Sequence, residues 1–369
     1  MTLGVERMAE HAALHGLELI LLADDPSMYI DVGNTKVIQF PTKDRNALEN
    51  YISENIRQIA NIFSSTDSWG VAAAELREKF GFPSRISSEK LIRLRDKRWV
   101  QSQLEPEGTE HATMYPRIVK PRSGTGSMDI HLVHDSEEHR RVLEEHGSSE
   151  TYVSQPYHRG PVYSAELWSN GTTSIFFGVT NRIMTAPPLF LEKVKTFPHE
   201  HGTPWEAKVE AWAKDLLAKL DYDLGLAHIE FIETAAGFEL VELNARMAGA
   251  MITPAIDAST NFDPYALAVA DALNNTPHVP VKREILGGHS HVSLYAEKTG
   301  TLMCVEGIET FAAYPGQPAW FAAKKSGSII TDLTSYRARI GNVVATAQTP
   351  ALAQDRALAA ALAVRIHIA

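Results

Sequence analysis

His228-Ile229-Glu230-Phe231-Ile232 and, a few residues on, Glu239-Leu240-Val241-Glu242-Leu243-Asn244-Ala245-Arg246 decide how this chain is read. Both stretches have the β-branched and large apolar content of strands. Between them lies Thr234-Ala235-Ala236-Gly237, and a three-residue loop over 235–237 suits a hairpin with a bulge and Gly in the left-handed position. That loop predicts a register in which Ile232 faces Leu240, Glu230 faces Glu242 and His228 faces Asn244, all on one side of the sheet. Carboxylates directly across a ladder lie about 5 Å apart at Cβ and repel. A hard divalent cation offsets that repulsion, and Asn244 adds a neutral oxygen on the same face. Few protein ligands, with positions left open for phosphate oxygens, describe Mg²⁺ rather than a closed calcium or zinc cage. Arg246 lies just beyond, within reach of the same phosphates. Any one of these acids suits an ordinary exposed strand; it is the assembled set that points to a site.

The bulk properties limit the classes of function. A chain of 369 residues with 44% hydrophobic content supports two or three packed units. Units at 1–86, 87–284 and 285–369 are expected, with the last boundary at the stretch 276–283. A formal charge of −10 argues against a general nucleic-acid binder, which needs a basic face. Cys304 is the one cysteine, which fits a reducing compartment and rules out an intrachain disulfide. No apolar run approaches membrane-spanning length and the N-terminus has no signal-peptide pattern, so a soluble, cytoplasmic protein is expected.

Taken in order, the chain reads as helix at 5–15, strands at 17–23 and 36–40, and helices at 45–60 and 69–80. That alternation predicts a parallel α/β unit, yet it opens on a helix where such units open on a strand. Either the first strand is absent or the native start lies upstream. Two short helices follow at 87–94 and 96–104, with Ser88 as a cap, then a strand at 117–120. Lys120 leads into Pro121-Arg122-Ser123-Gly124-Thr125-Gly126-Ser127, and a second strand covers 129–133. Small residues with free backbone N–H groups make a nest for phosphate oxygens. This is no P-loop, because the lysine precedes the glycines and no helix follows. Further on come a helix at 137–146, a strand at 151–155, an antiparallel pair at 163–168 and 174–179, and a Pro-bearing loop over 186–198. Helices at 205–220 and 263–273 flank the central hairpin, a boundary falls at 276–283, and a last helix covers 351–363.

In order and spacing these pieces resemble the ATP-grasp superfamily, specifically its carboxylate–amine ligases, which include the L-amino acid (dipeptide) ligases. The likeness rests on Arg95-Asp96-Lys97, Ile118-Val119-Lys120-Pro121 with its glycine loop, His228-Ile229-Glu230-Phe231, and Glu242-Leu243-Asn244-Ala245-Arg246. Arg339-Ile340-Gly341-Asn342-Val343 is similar to the small C-terminal lobe of these ligases. The resemblance implies an α/β chain of three parts: a truncated parallel α/β N-terminal domain, a two-lobed ATP-grasp domain and the small C-terminal lobe. It also implies roles. Lys97 and Lys120 would contact ATP, Ser123, Gly124, Thr125, Gly126 and Ser127 would close over its phosphates, and Gln155, Pro156 and Tyr157 would form the adenine hinge. Glu230, Glu242 and Asn244 would hold Mg²⁺, with Mn²⁺ as an alternative. Arg246, with Glu242 and Asn244, would steady the transferring phosphoryl group.

Two positions depart from the family pattern. After Gly160, where relatives often carry an acid for the ribose hydroxyls, stands Pro161-Val162, which leaves Glu166 as the substitute. The loop Pro188-Leu189-Phe190-Leu191-Glu192 is similar to the ligases' substrate loop, but their Gly-His is replaced by Val194-Lys195. Glu192, Lys195, His228 and Arg246 are then the expected substrate contacts, with Lys195 favouring an acidic amino acid or polycarboxylate.

The implied activity joins a carboxylate to an amine through an acyl phosphate, with release of ADP and phosphate. Such chemistry asks for positioning and charge neutralisation, a site closed to water and no side-chain nucleophile. The expected partners are small carboxylates and amines, amino acids foremost, in the making of a peptide-like metabolite or siderophore precursor, and a homodimer is compatible. A phosphotransferase and a catalytically weak nucleotide-binding subunit are the alternatives. Arg246 speaks against the latter, since binding alone does not need it.

Overall fold

The computed structural model describes residues 4–26, 29, 32–104, 114–124, 126, 128–275, 277, 279–280 and 282–369. The N-terminal part holds the helix Val5–Leu14, then β1 (Ile20–Ala23) and β2 (Lys36–Gln39), paired in parallel as the alternation predicts. Helices Arg45–Asn55, Asp67–Phe80, Ser88–Arg95 and Lys97–Leu104 follow. Ser87, not Ser88, caps the third of these, accepting from Lys90 N at 3.2 Å, while the Ser88 hydroxyl donates to Glu78 at 2.6 Å.

A small antiparallel sheet comes next, with β3 (Arg117–Pro121) between β4 (His131–Val133) and β5 (Tyr152–Pro156). The helix Ser136–His146 covers it, capped by Asp135, whose carboxylate accepts from Glu137 N and Glu138 N at 2.9 Å. The chain then builds β6 (Val162–Asn170), β7 (Ser174–Met184), β8 (Glu192–Phe197), β9 (Leu224–Thr234), β10 (Gly237–Asn244) and β11 (Gly288–Tyr295). After β12 (Gly300–Glu306) come β13 (Ala319–Ala322), β14 (Ile329–Ile330), β15 (Arg339–Ala347) and β16 (Arg365–Ile368).

Eight of these strands form one antiparallel sheet in the order β10-β9-β6-β7-β8-β11-β15-β13. One expectation changes here. The segment read as a loop over 186–198 ends in a strand, β8, held by β7 on one side and β11 on the other. From the section after 285, β11, β15 and β13 continue the sheet that carries the hairpin.

The hairpin places Glu230 opposite Glu242 and His228 opposite Asn244, as expected. Its turn differs. Thr234 pairs Gly237, so only Ala235 and Ala236 are free, and Ile232 faces Glu239 rather than Leu240. A bulge at Val241 then takes up one residue and restores the Glu–Glu pairing.

Alternation along the strands gives the sheet two chemically distinct faces. Tyr163, Ala165, Leu167, Ile229, Phe231 and Leu243 point to the side covered by the helix Pro204–Lys219, which answers with Val209, Ala213, Leu216 and Leu217. Each large side chain buried there contributes about 1.5–3 kcal/mol. At one end of the opposite face, Trp168, Phe177 and Leu226 pack under the helices Ile252–Ser259 and Pro264–Ala272, together with Val5 and Met8 of the first helix. The remainder of that face is polar: Ser164, Glu166, Thr180, Arg182, Lys195, His228 and Asn244 are all buried there. No helix among the described residues is long and apolar enough to cross a membrane.

Candidate active site

A cavity of about 550 Å³ opens between the small sheet and the hairpin. Lys97, Lys120, Gln155, Pro156, Tyr157, Glu230 and Glu242 all line it, with Ile118, Val162, Met184 and Leu240 among its apolar walls. Two lysines from different elements meet the hairpin there. Lys97 Nζ lies 2.7 Å from Glu242 Oε1 and donates to the Gly124 carbonyl at 3.3 Å. Lys120 Nζ donates to the carbonyl of Val241, the bulged residue, at 3.0 Å. Burial pushes the Lys120 ammonium down to about 8, helped by the Lys97 charge and opposed by Glu242 and Glu230. Asp96 ties the glycine loop to the helix that carries Lys97: Arg122 Nε donates to Asp96 Oδ1 at 2.7 Å, and Lys97 N donates to the Arg122 carbonyl at 3.0 Å.

Behind the cavity, charges run through the polar face of the sheet. Ser164 donates to Glu166 at 2.7 Å, His228 Nδ1 meets Glu166 at 2.9 Å, and His228 Nε2 meets Glu230 at 3.1 Å. Arg182 Nη1 lies 2.8 Å from Glu230, and Arg182 also bonds Glu192, which Lys195 bonds in turn. Burial disfavours a charged His228, yet Glu166 lifts its imidazole to about 9. Burial likewise disfavours an ionised Glu230, but Arg182 and His228 hold its carboxyl far below the usual range. Lys195 is brought down to about 8 by burial, against the pull of Glu192.

Arg246 faces a second, smaller cavity of about 130 Å³. Asp67, at the start of its helix, grips the guanidinium at both ends: Nε donates to Oδ1 at 2.6 Å and Nη2 to Oδ2 at 2.9 Å. Nη2 also reaches Asn244 Oδ1 at 3.4 Å, so Arg246 and the expected metal ligand Asn244 are held together. Arg77, Arg85 and Arg95 line the same cavity, against the carboxylates of Asp67 and Asp271. Arg77 is 9% exposed and its Nε has no hydrogen-bond partner.

The expected set therefore divides. Both lysines, Gln155, Pro156, Tyr157 and the opposed glutamates share one cavity. Asn244 and Arg246 do not line it; they touch each other, and Arg246 faces the smaller cavity. Within the loop, Gly124 touches Lys97, Ser123 lies beside the Arg122 anchor, and Gly126 packs on Tyr336 from the C-terminal section. Thr125 and Ser127 lie outside the described residues.

Four assignments are corrected. Glu166 does not line the cavity; it is 2% exposed and serves Ser164 and His228, so it is no ribose contact. His228 joins two carboxylates through both ring nitrogens and lines neither cavity. Glu192 is taken up by Arg182 and Lys195, which leaves it unsuited to receive a substrate ammonium. Lys195 sits in a strand at 2% exposure, so it neither reaches substrate nor points to solvent.

Several side chains escaped the sequence reading. Arg182 had a signal, since continuing the two-residue alternation of β7 beyond 179 puts it on the face of Thr180. Asp67 had none, because its partner lies 179 residues away.

Comparison with known proteins agrees with this fold. A family model described as an ATP-grasp domain matches residues 73–250, and one described as L-amino acid ligase C-terminal domain 2 matches residues 292–369. The uncharacterized protein y4rH of Sinorhizobium fredii (strain NBRC 101917 / NGR234) is 28% identical over 368 residues, covering 90% of this chain and 74% of that protein. The fold is that of the L-amino acid ligase from Bacillus licheniformis, with a TM-score of 0.83 at 15% identity over 98% of this chain and 95% of that one. It is also shared with N5-carboxyaminoimidazole ribonucleotide synthetase from Thermotoga maritima, with a TM-score of 0.70 at 15% identity over 99% and 97% of the two chains. The biotin carboxylase domain of the Hydrogenobacter thermophilus 2-oxoglutarate carboxylase, solved as a dimer with MgADP, ADP and bicarbonate, matches with a TM-score of 0.73 at 15% identity over 99% and 88%.

Proposed function

Because the chain belongs to the ATP-grasp superfamily, built on the plan of its amino acid ligases, we propose that it is an ADP-forming ligase that activates a carboxylate as an acyl phosphate and passes it to an amine. One observation carries this reading: Lys97, Lys120, the Gln155–Tyr157 hinge and the opposed Glu230 and Glu242 line a single cavity.

The adenine rests against Gln155, Pro156 and Tyr157 between the two sheets, and Lys97 and Lys120 take the phosphates. Each lysine then exchanges a protein partner, Glu242 or the Val241 carbonyl, for a phosphate oxygen. The donor set suits Mg²⁺: oxygen atoms only, two of them carboxylates set across a ladder. In the free chain Arg182 and His228 pair Glu230 and Lys97 pairs Glu242, so the ion would share or displace these partners. Glu230, Glu242 and Asn244 would hold the ion, which when bound supplies neutralisation of the phosphate charge. Arg246, fixed by Asp67, stands where charge develops on the transferred group and needs no reorganisation to meet it. Gly126, packed on Tyr336, belongs to the loop that would exclude the water able to hydrolyse an acyl phosphate.

The substrate carboxylate enters beside Arg246, in the cavity with four guanidinium groups and two carboxylates. The expectation of an acidic substrate thus moves from Lys195 to Arg77, whose buried charge lacks a hydrogen-bonded anion. The amine is an amino acid in this reading, the setting is the cytoplasm, and a homodimer is compatible.

ADP release measured over a panel of carboxylate and amine pairs tests the reading. Release that needs both substrates supports a ligase. Release with a carboxylate alone points to a phosphotransferase, and ATP binding without release points to a nucleotide-binding subunit. Glu242→Gln relieves the Glu230–Glu242 repulsion, so it folds but loses nearly all turnover. Arg77→Met leaves turnover of neutral pairs in place and removes any preference for acidic ones.

A further inference from the structure

Away from the nucleotide cavity, three metal-ligating side chains from three places in the chain converge on the stem of the glycine loop. Asp129 follows the loop, His131 opens β4, and His146 ends the helix Ser136–His146. His131 Nε2 lies 2.7 Å from Asp129 Oδ1, and His146 Nδ1 lies 3.1 Å from the same oxygen. The two rings face each other with centroids 4.3 Å apart and planes tilted by 48°. One ligand atom from each residue falls within a 4.8 Å sphere of mutual distances. The Tyr152 hydroxyl, at the start of β5, donates to the other carboxylate oxygen and so fixes the orientation of Asp129. Asp129 itself has a left-handed φ of 59°, a conformation few non-glycine residues adopt, and this backbone turn directs its carboxylate between the rings.

This arrangement is close to a coordination sphere. Around a tetrahedral ion with bonds of 2.0–2.1 Å, ligand atoms stand about 3.3 Å apart. Contacts of 2.7 and 3.1 Å reach that spacing by separating a few tenths of an ångström. Two imidazole nitrogens and one carboxylate oxygen suit Zn²⁺ and similar first-row ions, whereas Mg²⁺ and Ca²⁺ prefer oxygen alone. The Asp129, His131 and His146 side chains are 35%, 24% and 38% exposed, so ions reach them from solvent and water completes the sphere. We propose that Asp129, His131 and His146 form a transition-metal site of the Zn²⁺ class, distinct from the Mg²⁺ position, that staples the stem of the glycine loop to the helix and strand behind it.

The site does not depend on the ligase reading, and its test does not use activity. Cys304, Glu306 and His367 make a second convergent trio on β12 and β16, so the measurements belong in full-length Cys304→Ser protein, stripped with chelator. Calorimetric titration with Zn²⁺ should show one ion per chain, and Co²⁺ should give the intense visible bands of a tetrahedral centre without a sulfur-to-cobalt charge-transfer band. His146→Ala should abolish both signals. Tyr152→Phe, which keeps all three ligands and the fold, should weaken binding by about tenfold, as loss of an orienting partner does elsewhere. Zn²⁺ should raise the melting temperature of the Cys304→Ser protein and leave that of His146→Ala unchanged. Absence of stoichiometric binding, or equal affinity in Cys304→Ser and both variants, would overturn the proposal and leave a hydrogen-bonded cluster only.

Discussion

ATP binding should take up a proton above pH 8, and Lys120 should be the group that accepts it. In the free chain this ammonium is buried, donates to a neutral carbonyl and loses its proton with a midpoint of about 8. At pH 8.5 about three-quarters of the molecules then carry a neutral Lys120, whereas against phosphate the ordinary lysine value of about 10.4 returns and nearly all are charged. The difference is about 0.7 proton per ATP bound at pH 8.5, falling to about 0.1 at pH 7. If only the charged form grips phosphate, affinity drops about tenfold by pH 9, or about 1.4 kcal/mol. Calorimetry in buffers of different ionisation enthalpy measures the uptake directly, and Lys120→Met supplies the reference. The same group sets a stability trend. Its midpoint is lower in the folded chain, so between about 8 and 10.5 the unfolded chain binds more protons and stability rises with pH. Below 8 the full cost is present, about 3 kcal/mol, so Lys120→Met should be more stable than the parent at neutral pH. Equal proton uptake by parent and variant at pH 8.5 would refute the placement of Lys120 against phosphate.

Further outcomes follow from the other contacts. Asp67→Asn removes the charge that clamps Arg246, a loss of about 1.5–3 kcal/mol, so kcat should fall about ten- to a hundredfold while the calorimetric ATP affinity stays put. Lys97→Met should cost about 1–3 kcal/mol in urea unfolding by leaving Glu242 unpaired, and adding Glu242→Gln should restore stability but not turnover. Gly126→Ala puts a methyl 2.6 Å from the Tyr336 ring at a φ of 70°; ATP binding should weaken, and Tyr336→Ala should recover part of it. Lys195→Met should alter urea stability and leave the substrate ranking of the panel unchanged.

The hairpin shows what was legible and why. Glu230 and Glu242 could be paired on paper because strand composition and a glycine turn restrict the register tightly. The route to that pairing was misread: the turn is one residue shorter, and Val241 makes up the difference. A trace of this is in the spacing. Leu240 and Leu243 both pack toward the same core although three residues separate them, and a regular strand repeats every two. That Lys97, Lys120 and residues 155–157 line one cavity could be anticipated because their local motifs keep order along the chain. Arg182, Asp67 and Arg77 were not, since each owes its role to a partner or cavity formed only on folding. Lys195 failed for a related reason. The resemblance to a substrate loop sets Lys195 against substrate, whereas the pairing of β8 with β7 and β11 buries it in the sheet.

The continuity of the large sheet bears on how such chains can evolve. Two family models divide the sequence, at 73–250 and 292–369, which invites the picture of interchangeable modules. The hydrogen-bonded ladder ignores that division: β11 pairs β8 over four residues, from His289 with Phe197 to Val292 with Val194. Recombination between relatives at the gap would therefore join foreign edges of one sheet and set His291 of one lineage against Lys195 of another. Hybrids should survive only where both parents agree along this seam, so the two halves are expected to be inherited together.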